Sequence, residues 1–148
     1  MTAYNELYTN DAKENLADMI DYAVNDLNLD PDNFFDLFIS SGTAKQFEKG
    51  NPKYLAGMSG YELALEVLKK SKTKYKIEEP SYKFEKSREY WAGWILAYYQ
   101  RQANQSFEEM VRYGLKLSDV ISMYILHEAD VSKFTETANE IIRKNRLL

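Results

Sequence analysis

"YWAGWILAYYQ", residues 90–100, is the stretch on which the reading of this chain turns: eleven positions carry Tyr90, Trp91, Trp94, Tyr98 and Tyr99, with Ile95, Leu96 and two alanines between them. Its length is about half of the roughly 20 apolar residues a bilayer-spanning helix needs, which excludes a membrane span. Wound as a helix, it places Trp91, Ile95, Tyr98 and Gln102 on one face and Tyr90, Trp94 and Leu96 on others, so it is apolar nearly all round. A helix of that kind is normally surrounded by other helices. Two readings follow. One is a central core helix whose tyrosine and tryptophan polar tips find hydrogen-bond partners. The other is a partly exposed aromatic groove that takes up a partner's helix or a ligand. Gly93, between the tryptophans, permits close approach of either a neighbouring helix or a bound molecule.

Outward from this stretch the apolar period remains helical. In "NDAKENLADMIDYAVNDLNL", Leu16, Met19, Ile20, Ala23 and Leu27 form one continuous stripe, with Asn10 or Asp11 as the expected N-cap. Pro31 suits the first position of a short helix behind an Asp30 cap, and Phe34, Phe35, Leu37, Phe38 and Ile39 make that helix strongly apolar. Gly42 interrupts it, and "TAKQFEK" adds a turn or two before Gly50. Ser59 and Glu62 form a capping box for a helix that runs to Lys70. Ser87 caps the aromatic helix, which should reach about Asn104. Ser106 with Glu109 opens a further short helix ended by Gly114, Ser118 with Asp119 begins "DVISMYILHEA", and a last amphipathic helix carries Phe134, Ala138, Ile141 and Ile142 on one face. Between them, around residues 74–85, Tyr75, Ile77, Tyr82 and Phe84 alternate with charges about Pro80, the pattern of a short two-stranded hairpin or an extended crossing segment. The sequence therefore predicts a mainly α fold, a single compact bundle of six or seven helices over residues 1–148, with that hairpin as an optional element.

Bulk properties agree. A chain of 148 residues buries about two-thirds of its unfolded surface in one core. With 45% hydrophobic and 28% charged residues it has the balance of a globular protein. There is no cysteine, so disulfides, thiolate catalysis and zinc–thiolate sites are excluded. The opening "MTAYNELYTNDAKEN" has neither a basic nor an apolar leader region, and with the absence of cysteine this leads us to expect a cytoplasmic protein.

Net charge is −4, but it is segregated. Residues 1–40 hold nine acids against Lys13 alone, whereas residues 45–88 hold eleven bases against six acids. An acidic end of this kind steers a partner with a basic surface. The candidate contacts are the charges Asp18, Asp21, Asp26, Asp32 and Asp36, with Tyr22, Phe34, Phe35 or Phe38 as anchors where their rings reach the surface. An alternative is a small-molecule or anion site in the loop 49–60, "KGNPKYLAGMSG", using Lys49, Asn51, Lys53 and Ser59 at a helix N-terminus, with Trp94 of the aromatic helix as one wall. Nucleic-acid binding through the lysines of residues 69–88 is disfavoured by the acidic pI near 5.1.

Patterns that resemble catalytic or metal motifs fail on geometry. Asp26, Asn28, Asp30 and Asp32 stand at positions 1, 3, 5 and 7 of a calcium loop, but Pro31 and Leu37 occupy the places of its glycine and bidentate glutamate. The glycines of 49–60 match neither a P-loop nor a dinucleotide fingerprint. His127, the sole histidine, has Glu128 and Asp130 as neighbours in sequence, and such neighbours do not share a helix face. The expectation is a non-enzymatic protein with no cofactor and no metal.

At "FEKGNPKYLAGMSGYELALEV", "SREYWAGWILAYYQRQANQSFEEM" and "LHEADVSKFTETANEI" the chain resembles a family of small helical proteins from gut Firmicutes and their mobile elements. The resemblance covers nearly the whole chain. It implies an antitoxin-like accessory role, neutralising or scaffolding a partner protein, and it carries no catalytic residues across.

Overall fold

In the computed structural model, which describes residues 6–148 apart from Tyr82, each helix boundary has an identifiable local cause. Helix α1 (Thr9–Asp21) follows a 3-10 turn at Glu6–Tyr8 and passes into a π-helical turn, Tyr22–Asp26. It starts at Tyr8 without a side-chain cap, not at the expected Asn10 or Asp11. Asp30 caps α2 (Pro31–Ser40) by accepting from the Asn33 N–H at 3.0 Å. Gly42 adopts φ 85°, a left-handed conformation that favours glycine, and turns the chain into α3 (Thr43–Glu48). Asn51 caps the single turn α4 (Pro52–Leu55). Ser59 and Glu62 make the anticipated capping box at α5 (Gly60–Lys70).

Ser87 caps α6 (Arg88–Ala103), the aromatic helix, which stops where Asn104 turns left-handed. Ser106 caps α7 (Phe107–Arg112), and α8 (Leu117–Ser122) starts just ahead of the predicted Ser118. The expected continuation of α8 through "YILHE" is instead a 3-10 segment, Tyr124–Glu128, before α9 (Val131–Arg146). The mainly α expectation holds. Nine α-helices lie among the described residues where six or seven were anticipated, because short turns such as α4 stand as separate elements.

No strand occurs among the described residues, so of the two readings offered for residues 74–85 the extended crossing segment, not the hairpin, fits the described part. Tyr82, part of that expectation, lies outside the described residues. The segment crosses the end of α1, tied there by side-chain bonds. Tyr22 Oη donates to the Glu78 carbonyl, Ser81 and Lys83 bond Asp26, and Ser87 Oγ bonds Asp21.

The most extensive helix pair is α1 against α6, followed by α1 against α5. Glycine sets both approaches. A Cβ on Gly93 would lie 2.7 Å from Ala17 Cα and from the Leu16 carbonyl oxygen, and one on Gly60 would lie 2.4 Å from Asp18 Cβ. Phe35, Phe38, Phe47 and Phe107 interlock nearby, with ring centroids 5.5–6.3 Å apart, largely edge-on or tilted. No described helix is long and apolar enough to cross a membrane.

Candidate binding surfaces: the acidic face and the aromatic groove

The acids of the N-terminal region divide into two sets. Asp21, 6% exposed, accepts from Ser87 Oγ and from Asn25 Nδ2. Asp26 accepts from Ser81 Oγ at 2.7 Å and from Lys83 Nζ at 3.0 Å, and the same ammonium lies 3.3 Å from Asp21. Burial works against the Asp26 carboxylate, but its hydrogen bonds from Ser81 and Lys83 prevail and hold its pKa below the ordinary 3.8. Asp32 reaches the start of α8, where it accepts from Ser118 N–H at 2.9 Å and from Ser118 Oγ at 2.6 Å. Asp21, Asp26 and Asp32, read from sequence as partner contacts, are thus internal clasps. Tyr22 and Phe35, each 1% exposed, are core residues, as are Phe34 and Phe38.

The second set faces outward. Asp11 and Glu14 are exposed and Asp18 is half-buried. At 100° per residue they fall within about 60° of one another on α1. Among the described residues none of the three has an ion pair within 4 Å. Their field is felt by Tyr90, whose pKa is pushed up to about 12 by burial and then by the nearby carboxylates, Asp18 and Glu14 foremost. Asp18 is itself raised, chiefly by burial, against the lowering influence of Lys86. Asp36 on α2 is also exposed.

Beside this face, α6 opens into a groove of about 350 Å³. Ile95 and Phe134, 2% and 1% exposed, form its floor. Its walls are Tyr90, Trp91 and Trp94 from α6, Tyr124 and His127 from the 3-10 segment, and Val131 at the start of α9, with Lys86 at one end. Trp91 packs edge-on against Tyr124 and Phe134, each at 6.0 Å. Tyr124 stacks on His127 at 4.0 Å, and His127 Nδ1 lies 2.5 Å from the Tyr124 carbonyl oxygen. The aromatic stretch therefore answers to both readings. Ala92, Gly93, Ile95, Leu96, Ala97 and Tyr99 are core, and Tyr99 Oη donates to Asn139 at 2.6 Å, whereas Trp91, Trp94 and Tyr98 are half-buried. Sequence reasoning found Trp94 but missed Tyr124, Phe134 and Lys86. The helical wheel set Trp91 and Trp94 on different faces, yet both line this groove, and nothing local marks Lys86.

The loop 49–60 is a structural connection. Asn51 and Ser59 spend their side chains on the first turns of α4 and α5, and Glu62 already occupies the Ser59 N–H. Lys49 and Lys53 are exposed, and Lys53 lies over the Tyr54 ring. Trp94 lines the groove with none of Lys49, Asn51, Lys53 or Ser59 among its walls, so the anion site anticipated from these five residues is not assembled. The calcium-like acids point to separate tasks: Asp26 to Lys83, Asp30 to the α2 cap, Asp32 to α8. Among the described residues no group of three or more histidine and carboxylate side chains is placed to hold a metal ion. No protein-family model, curated protein or solved structure matches this chain.

Proposed function

We propose that this chain is a non-enzymatic, cytoplasmic protein-interaction module of antitoxin-like or anti-defence type, which neutralises or scaffolds a partner protein bearing a basic surface. The observation that carries the reading is the stripe along α1 of exposed Asp11 and Glu14 with half-buried Asp18, outside any ion pair among the described residues. Where Asp21, Asp26 and Asp32 are consumed in holding the fold, these carboxylates are not. Asp18 and Glu14 also act on the Tyr90 phenol, whose pKa is raised first by burial and then by these carboxylates. Charges so arranged accelerate encounter with a positively charged partner and select against acidic ones.

The test is capture of the tagged chain's partner from its native host, followed by reconstitution from purified components. Binding that weakens in Asp11→Lys/Glu14→Lys, and co-expression that relieves the partner's toxicity, support the reading. A reconstituted partner that binds the double reversal as tightly as the parent chain refutes the assigned surface.

A further inference from the structure

We infer that the groove between α6 and the start of α9 is a binding site for a small planar aromatic carboxylate, a ligand of the indole- or phenyl-acetate class. The inference rests on the groove and is independent of the acidic face.

Three features specify the ligand. The first is size: about 350 Å³ lies at the lower end of the range for small-molecule sites, enough for a one- or two-ring compound. The second is shape. Half of the twelve lining residues are rings, Tyr90, Trp91, Trp94, Tyr124, His127 and Phe134, and a flat aromatic guest gains stacked or edge-on contacts that an aliphatic one does not. The third is charge. Lys86 is the one formally charged side chain among the lining residues, and its ammonium already rests 4.3 Å from the Tyr90 ring centre on the groove wall. Lys13, which is not among the lining residues, stands 4.5 Å from the centre of the Trp94 ring.

Asp18 and Glu14 act on Tyr90 from outside the groove, and no carboxylate is among the groove's own lining residues. Asp18 and Asp21 line a separate hollow of about 290 Å³ with Tyr61 and Lys83, and Lys86, Ser87 and Tyr90 form the partition between the two spaces. A guest in the groove meets Lys86 and no carboxylate among the lining residues. The ring stack seats the apolar body of the ligand, and Lys86 fixes its carboxylate toward the α6 N-terminus.

Three probes that share the indole ring and carry short side chains of different charge test this on the full-length chain: indole-3-acetate, neutral indole-3-ethanol and cationic tryptamine, titrated by ligand-observed NMR and calorimetry. Indole-3-acetate should bind saturably at one site, about fivefold tighter than tryptamine, the scale of one partly exposed ion pair. Lys86→Met, at an exposed position, should remove that preference while leaving indole-3-ethanol unaffected. Trp94→Leu should weaken all three probes, with the thermal midpoint measured alongside to confirm folding. No saturable binding of indole-3-acetate overturns the proposal. So does equal or tighter binding of tryptamine, or an anion preference that survives in Lys86→Met, and the Lys86 arm decides even if the tryptophan variant fails to fold.

Discussion

The Lys83 ammonium lies 3.0 Å from the Asp26 carboxylate across 57 positions of sequence, and this pairing fastens the extended segment 71–87 to the end of α1. Ser81 and Ser87 add hydrogen bonds to Asp26 and Asp21, and Tyr22 Oη reaches the Glu78 carbonyl. This segment, which has no helix or strand among its described residues, is thereby held by charge and side-chain bonds.

Lys83→Met should loosen that segment. It leaves Asp21 and Asp26 largely buried without their cation, at an expected cost of about 2 kcal/mol, the scale of hydrogen bonds to charged groups. Urea unfolding should show the loss. Limited proteolysis should show faster cleavage within residues 71–87 than elsewhere. An unchanged midpoint and cleavage pattern would mean the clasp contributes nothing to the fold.

The α1–α6 contact should not tolerate a methyl group. Gly93→Ala places a Cβ 2.7 Å from Ala17 Cα and from the Leu16 carbonyl, both backbone atoms that cannot swing aside. Overpacking of this kind costs about 1–3 kcal/mol and should lower Tm by several degrees despite alanine's better helix propensity. A rise in Tm would show that the two helices are not pressed together at this point.

Glu48 and Asp26 should respond to pH in opposite senses. Burial raises the Glu48 pKa above its ordinary 4.5, only partly offset by the Phe107 N–H it accepts at 2.7 Å. A carboxyl with a raised folded-state pKa costs stability once pH exceeds its unfolded value, so Glu48→Gln should gain on the parent as pH climbs from 4 to 7. Asp26 is depressed below 3.8, so its contribution is present above that pH and lost as pH falls through the lower folded-state value. The stability deficit of Asp26→Asn should therefore be full at pH 7 and shrink in acid. Parallel denaturation curves at every pH would contradict both assignments.

Much of the fold was legible because helix signals are local. The Ser59–Glu62 capping box, the Asp30–Pro31 start and the Ser87 cap are each written within four residues, and each stands where the sequence put it. The choice between a hairpin and an extended crossing segment stayed open because alternation at Tyr75, Ile77 and Phe84 describes either, and only the distant Asp21 and Asp26 decide what the segment pairs with. The same non-local bonds account for the candidate site. Acidity along residues 11–36 was plain, but which acids are spent internally depends on Lys83, Ser118 and Ser87, between 57 and 86 positions away. Reversing Asp21, Asp26 or Asp32 would remove these internal bonds and so would not test a surface alone.

The most direct measurement compares the purified partner's Kd for the parent chain, for Asp11→Lys/Glu14→Lys and for Asp36→Lys, at low and physiological salt. The account predicts that the α1 double reversal weakens binding about tenfold or more and flattens its salt dependence, as expected when rim charges that steer the complex are inverted. The same Kd and salt slope for the parent and the α1 variant would contradict it.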